Sequence, residues 1–222
     1  MCVAVDSRSV PPTAQSLPSD AAFPQRIGLF GGTFDPPHVG HLVTAINVRH
    51  ALGLDVVLLM VAGEPWQKEG SRPISPADDR LAMVEAAVAD VTGLEASRLE
   101  VDRVGPSYTA DTLRELGRLH PGAEFFTILG RDAARGITTW HDYQTVRQLS
   151  RLVVVDRPGE VGDLPVGFDW IRVEVPHVDV SSSDLRARVH DGRPLDYLVT
   201  GAVLDIIEER HLYAAITDGV CC

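Results

Sequence analysis

Short apolar runs alternate along the chain with longer stretches whose apolar side chains recur at helical spacing. The first pattern is that of buried strands, the second that of amphipathic helices. From Arg26 onward the order is "RIGLFGG", "HLVTAINVRHALGL", "DVVLLMVA", "PADDRLAMVEAAVAD", "RLEVDRV", "TADTLRELGRLH", "EFFTILG", the stretch ending "YQTVRQLS", and "RLVVVDR". Strand and helix take turns, and strands that are apolar throughout need cover on both faces. The pattern predicts an α/β fold: a Rossmann-like, doubly wound, mostly parallel sheet. "IRVEVP" adds a strand, "SSSDLRARVHDG" a helix that serine opens and Gly192 ends, and "PLDYLVTGAVLDIIEERHLY" one or two C-terminal helices.

Boundary signals support these assignments. Pro76 with Asp78 and Asp79 suits the first turn of the second helix, and Thr109 with Asp111 suits the opening of the third. Residues 1–25, rich in Pro, Ser and Ala without periodicity, are expected to be a mobile extension. Residues 26–180 then form the Rossmann-like domain, 181–213 a small C-terminal helical part, and 214–222 a tail. A length of 222 residues suits one domain with such an appendage.

Composition narrows the function. A net charge of −11 leaves no broad surface for neutralising a phosphate backbone, so nucleic-acid binding is not expected and any phosphate site must be local. No apolar stretch is long enough to cross a bilayer, and the N-terminal residues lack the basic head and apolar core of a secretory signal. The expected location is cytoplasmic, with no membrane partner; whether the chain forms a homo-oligomer stays open. Cys2, Cys221 and Cys222 cluster at the ends without metal-ligand spacing and are expected to be exposed, reduced thiols.

The candidate chemistry lies in "GGTFDPPHVGH", residues 31–41. Gly31 and Gly32 follow the first strand, where the backbone can turn tightly and approach a ligand. Pro36 and Pro37 stiffen the loop, and the helix after it aims its N–H groups and positive dipole end at the carboxyl edge of the sheet. That is an anion site. His38 and His41 stand at its mouth, on neighbouring faces of the first turn, with no serine, cysteine or lysine nucleophile beside them. An isolated histidine there would cap or fill space. A metal pair completed by Asp35, with His141 and Asp142 from elsewhere in the chain, is the other alternative.

These residues carry a resemblance. "GGTFDPPHVGH" resembles the signature loop of the nucleotidyltransferase superfamily, whose T/H-x-G-H element is related to the HIGH motif of class I aminoacyl-tRNA synthetases, and "VSSSDLR" resembles its second signature. "GEPWQK", "GPSYTADTLREL", "ILGRDAARGITTWHDY", "VVVDRPG" and "RPLDYLV" follow in the order seen in bacterial nicotinate mononucleotide adenylyltransferases. The likeness runs from Arg26 to Tyr213 and implies that ATP and nicotinate mononucleotide are joined to give deamido-NAD and pyrophosphate. Mg²⁺ would arrive with ATP, without a dedicated metal cage in the protein.

By that resemblance Gly31, Gly32, Thr33, Phe34, His38, His41, Gly130, Asp132, Ser182, Ser183 and Arg186 bind ATP, with His38, His41 and Arg186 taking part in catalysis. Lys68, Thr109 and Trp140 would bind the acceptor. Taken singly, these residues have plainer readings: a solvated loop lysine for Lys68, core packing for Trp140, and a serine cap with a solvated arginine for "SSSDLR". Three departures from the family pattern stand out. Val180 and Ser183 replace Ile and Thr, Arg131 puts a cation where a small or uncharged residue is usual, and the proline before the last helix is missing. Nicotinamide mononucleotide or another phosphate acceptor, a metal-dependent hydrolase and an inactive nucleotide-binding module remain the competing functions. His38, "SYTADTL" and "TTWHDY" favour a pyridine nucleotide over phosphopantetheine.

Overall fold

The computed structural model describes residues 25–65, 73–156 and 163–214. Six parallel strands form one sheet in the order β3-β2-β1-β4-β5-β6: β1 (Arg26–Gly32), β2 (Val56–Val61), β3 (Leu94–Ser97), β4 (Glu124–Gly130), β5 (Arg151–Asp156) and β6 (Trp170–Glu174). The helices are α1 (Val39–Leu52), α2 (Ala77–Val88), α3 (Thr109–Leu119), α4 (Arg131–Arg135), α5 (Tyr143–Leu149), α6 (Ser182–His190) and α7 (Gly201–Glu209). Among the described residues no helix is long and apolar enough to cross a membrane.

Successive strand residues point to opposite faces, and here each face has its own cover. Val57, Leu59, Val61, Phe126, Ile128 and Val153 pack with α1, α2, α6 and α7. Ile27, Leu29, Leu58, Met60, Leu129 and Val154 pack with α3, α4 and α5. All six residues of β2 are buried, which is why its sequence is apolar without alternation. Leu185, Leu195, Val199, Val203 and Ile207 belong to the first of these cores. The segment after residue 180 thus shares a core with the sheet. Where the family's proline is missing, the Thr200 hydroxyl caps α7 by accepting from Val203 N–H at 3.3 Å.

One predicted strand is displaced. The alternation of Leu99 and Val101 predicts a strand over "RLEVDRV", yet β3 is formed by "LEAS" just before it, paired from Val57↔Leu94 to Met60↔Ser97. Only Leu94 of that edge strand is buried, so its apolar signal is weak. Leu99 and Val101 instead anchor a turn-rich segment to the two cores, and Val104 is fully exposed. The short α4 and the 3-10 turn Ile137–Thr139 are too brief to show a period in the sequence.

The sheet parts where the order reverses. β1 pairs with β2 as far as Gly32↔Val61, but with β4 only as far as Phe30↔Ile128. Beyond that point Gly31 and Gly130 line the wall of a crevice at the carboxyl ends of the strands.

Candidate active site

α1 begins at Val39 with His38 as its cap residue, so both imidazoles stand at the helix mouth. The His38 backbone N–H donates to His41 Nδ1 at 3.2 Å. That bond makes Nδ1 the acceptor and assigns the ring proton of His41 to Nε2. The two rings stack with centroids 3.7 Å apart, while Phe34 meets His41 edge-on at 5.0 Å. His38 is 9% exposed, and burial lowers its pKa from 6.5 to about 4. It is neutral near neutral pH, so His41 stacks on an uncharged ring. A Cβ at Gly40 would lie 3.1 Å from both the His38 Nδ1 and the Val180 side chain, which explains the glycine between the histidines.

The loop carrying this pair is braced from several sides. Arg80, 1% exposed, donates to the carbonyls of Thr33 (2.9 Å), Ala62 (2.7 Å), Gly63 (3.2 Å) and Ser75 (2.8 Å). From α6, Ser182 Oγ donates to the Pro36 carbonyl at 2.8 Å and Arg186 Nη1 to the Asp35 carbonyl at 2.6 Å. Arg186 Nη2 also donates to Ser183 Oγ at 3.1 Å. The Ser181 hydroxyl caps α6 by accepting from Asp184 N–H, which leaves Ser182 to hold the loop. Val39 N–H donates to the Leu198 carbonyl at 3.0 Å.

Two cavities adjoin over Phe30, Gly31, Gly130 and Ala133. The larger, about 740 Å³, is lined by His38, His41, His177, Asp132 and the guanidinium groups of Arg131 and Arg135 among others. The smaller, about 190 Å³, is lined by Gly32, Thr33, Tyr108, Thr109, Trp140 and His141 among others. Gly31, Gly32, Thr33, His38, His41, Thr109, Gly130, Asp132 and Trp140 all line one or both cavities, and among the described residues the other predicted ones do not. The Phe34 side chain is 2% exposed and supports His41, so the cleft is offered only the backbone there. Ser182, Ser183 and Arg186 are absent from the walls of both cavities; Ser182 and Arg186 reach the site through the loop carbonyls, and Ser183 only through Arg186. Lys68 lies outside the described residues, as do Cys2, Cys221 and Cys222.

The Arg131 departure has a structural counterpart. Its guanidinium, 8% exposed on the wall of the larger cavity, pairs with buried Asp156, which also accepts from Arg172 at 3.0 Å. Its charge is matched inside the protein. The residues of the metal-pair alternative have other contacts: Asp35, 1% exposed, accepts from Tyr213; His141 stacks on Tyr108 at 4.2 Å; and Asp142 pairs with Arg114. Among the described residues no group of three or more His, Cys, Asp or Glu side chains is arranged to hold a metal.

Several groups at the site carry no sequence signal. Arg80, Asp156 and Tyr213 are known only through long-range partners. Glu100 lines the smaller cavity, where burial pushes its carboxyl up against the opposing effects of the Thr112 hydroxyl, at 2.6 Å, and Arg103. The Trp140 indole N–H is buried and meets no partner among the described residues.

A parallel sheet parting at its switch point, beside a helix mouth that bears two imidazoles, defines a nucleotide-binding α/β protein. Residues 29–188 match the family model described as cytidylyltransferase-like. A protein of Thermus thermophilus named "Probable nicotinate-nucleotide adenylyltransferase" is 46% identical over 191 residues, covering 85% of this chain and 99% of that protein. One of the same name from Streptomyces coelicolor is 45% identical over 186 residues, covering 82% and 98%. The solved nicotinic acid mononucleotide adenylyltransferase of Plasmodium falciparum, complexed with NaAD, shares the fold at a TM-score of 0.70 and 17% identity, covering 85% of this chain and 97% of that one. The chain is a nucleotidyltransferase and belongs to the nicotinate-nucleotide adenylyltransferase family within the cytidylyltransferase-like group.

Proposed function

We propose that the protein transfers the adenylyl group of ATP to nicotinate mononucleotide, releasing pyrophosphate and forming deamido-NAD in NAD biosynthesis. The observation that carries this reading is the pair of adjoining cavities at the sheet's switch point, with His38 and His41 on the wall of the larger. ATP occupies the larger cavity, over Gly31 and Gly130 and against Asp132, whose exposed carboxylate reaches the ribose hydroxyls. Nicotinate mononucleotide occupies the smaller. There the α3 terminus at Thr109, which no side chain caps, and the Trp140 N–H present donors to the ring carboxylate, and the Trp140 ring packs on the pyridine.

The chemistry needs no protein nucleophile. An acceptor phosphate oxygen, anionic near neutral pH, attacks the α-phosphorus of ATP. The new P–O bond forms as the bond to the β-phosphate bridging oxygen breaks, and pyrophosphate leaves with that electron pair. The protein's part is to align two anions and to stabilise charge that spreads over the phosphoryl oxygens. His41 offers its Nε2–H to those oxygens, and His38 holds that ring in place by stacking and by its backbone N–H. Arg186 fixes the loop through Asp35, and from there its guanidinium charge acts on the phosphates. Magnesium prefers oxygen ligands and the nucleotide supplies them, so Mg²⁺ would arrive with the substrate as MgATP. When bound there it would supply charge neutralisation on the leaving pyrophosphate. Lys68 would add a cation to the acceptor phosphate.

The test is pyrophosphate release from ATP and Mg²⁺ with nicotinate mononucleotide, its amide and phosphopantetheine in parallel. The reading expects turnover with the first to dominate. Equal turnover with all three, or none, would overturn the acceptor assignment.

A further inference from the structure

Tyr213 lies 178 residues from Asp35 in sequence, yet its hydroxyl donates to Asp35 Oδ1 at 2.8 Å. Asp35 is 1% exposed and sits in the loop that leads to His38, and a buried carboxylate needs such donors. The Tyr213 ring packs partly buried against the main core, with its hydroxyl 4.0 Å from Met83 Sδ on α2. Its backbone holds a left-handed conformation, φ 63°, which a non-glycine residue keeps only where its surroundings over-determine it. Burial first, and the neighbouring Asp35 charge next, push the phenol far above its ordinary pKa, so it remains a donor at any working pH. The same loop receives Arg186 on the Asp35 carbonyl and Ser182 on the Pro36 carbonyl, so the C-terminal part grips it at consecutive residues.

We infer that Tyr213 is a positioning residue: its hydroxyl holds Asp35, and through Asp35 it sets the His38–His41 pair against the nucleotide cleft. The inference rests on the adenylyl-transfer reading for its kinetic consequence. The link removes no proton and touches no substrate. It keeps the loop from drifting at the point where a small misplacement of the histidines is costly.

Tyr213→Phe deletes the one hydroxyl. With the variant folded at the assay temperature, kcat is expected to fall about tenfold while both KM values stay within about twofold. The His41 imidazole resonances of the substrate-free protein, read by long-range proton–nitrogen correlation, are expected to shift. A residue that merely secured the chain terminus would lower the melting temperature and leave those resonances in place. Asp35→Asn retains an oxygen for the phenol and should keep most of the activity, whereas Asp35→Ala should lose it as Tyr213→Phe does, and the double variant Asp35→Ala/Tyr213→Phe should be no slower than either single variant, because both act on one link. If Tyr213→Phe does not fold, Asp35→Ala removes the acceptor instead and should show the same loss of kcat and the same shift. Parental kcat with unmoved His41 resonances, or rate losses that multiply in the double variant, would overturn the inference. Absence of turnover in the parent would count against the proposed function and leave the resonance shift to decide the positioning role.

Discussion

His38 and His41 are three positions apart, yet their surroundings divide the work between them. His38 is buried and neutral; His41 is oriented by the His38 backbone and by aromatic edges so that Nε2 carries its ring proton. His41→Ala should lower turnover about a hundredfold or more, since it removes a donor aimed at developing charge. Circular dichroism should show the fold retained, and activity within a few-fold of the parent would mean the role is wrongly assigned. His38 also leaves a mark on stability. Its folded pKa of about 4 lies below its unfolded value of 6.5, so the unfolded state takes up its proton first as pH falls. The contribution is complete above 6.5 and is lost on the way down to about 4, up to roughly 3 kcal/mol in all. Urea denaturation at pH 7 and pH 4.5 should show a smaller acid loss for His38→Gln than for the parent; equal losses would contradict the burial argument. The histidines and their glycines were legible because a strand end, a glycine pair and a helix start lie together in eleven consecutive letters. Arg80, Asp156, Glu100 and Tyr213 were not, because each owes its role to partners brought near only by the fold.

Among elements, the strands with continuous apolar runs were the readable ones. β2 and β4 are buried on both faces and announce themselves, whereas β3 is a four-residue edge with one buried side chain, and the pattern points too late in the chain. Helix starts were legible through Asp78, Asp79 and the serine run. Which serine caps was not, and the difference matters: Ser181 takes the cap, so Ser182 can hold Pro36. α2 supplies the strongest link between element and loop, because Arg80 gathers carbonyls from Thr33, Ala62, Gly63 and Ser75. Arg80→Met keeps the stem and removes those donors, so denaturant unfolding should show a loss of about 3 kcal/mol or more. A loss under about 1 kcal/mol would mean that water replaces the guanidinium without cost.

At the scale of the molecule, a doubly wound sheet brings three distant segments to one crevice: the β1–α1 loop, the β4–α4 turn, and α6 gripping the loop from behind. The acidic chain thereby lines one cleft with imidazoles and with guanidinium groups paired to carboxylates. On the proposed reading that arrangement stabilises charge and aligns anions, and the serines of α6 are occupied in capping that helix and holding the loop. Direct transfer between the two bound substrates is the central claim. The most direct measurement is exchange of labelled pyrophosphate into ATP, with Mg²⁺ present and the acceptor left out. The account predicts no exchange above background until nicotinate mononucleotide is added; exchange at a rate near kcat without acceptor would reveal an adenylyl-enzyme and contradict it.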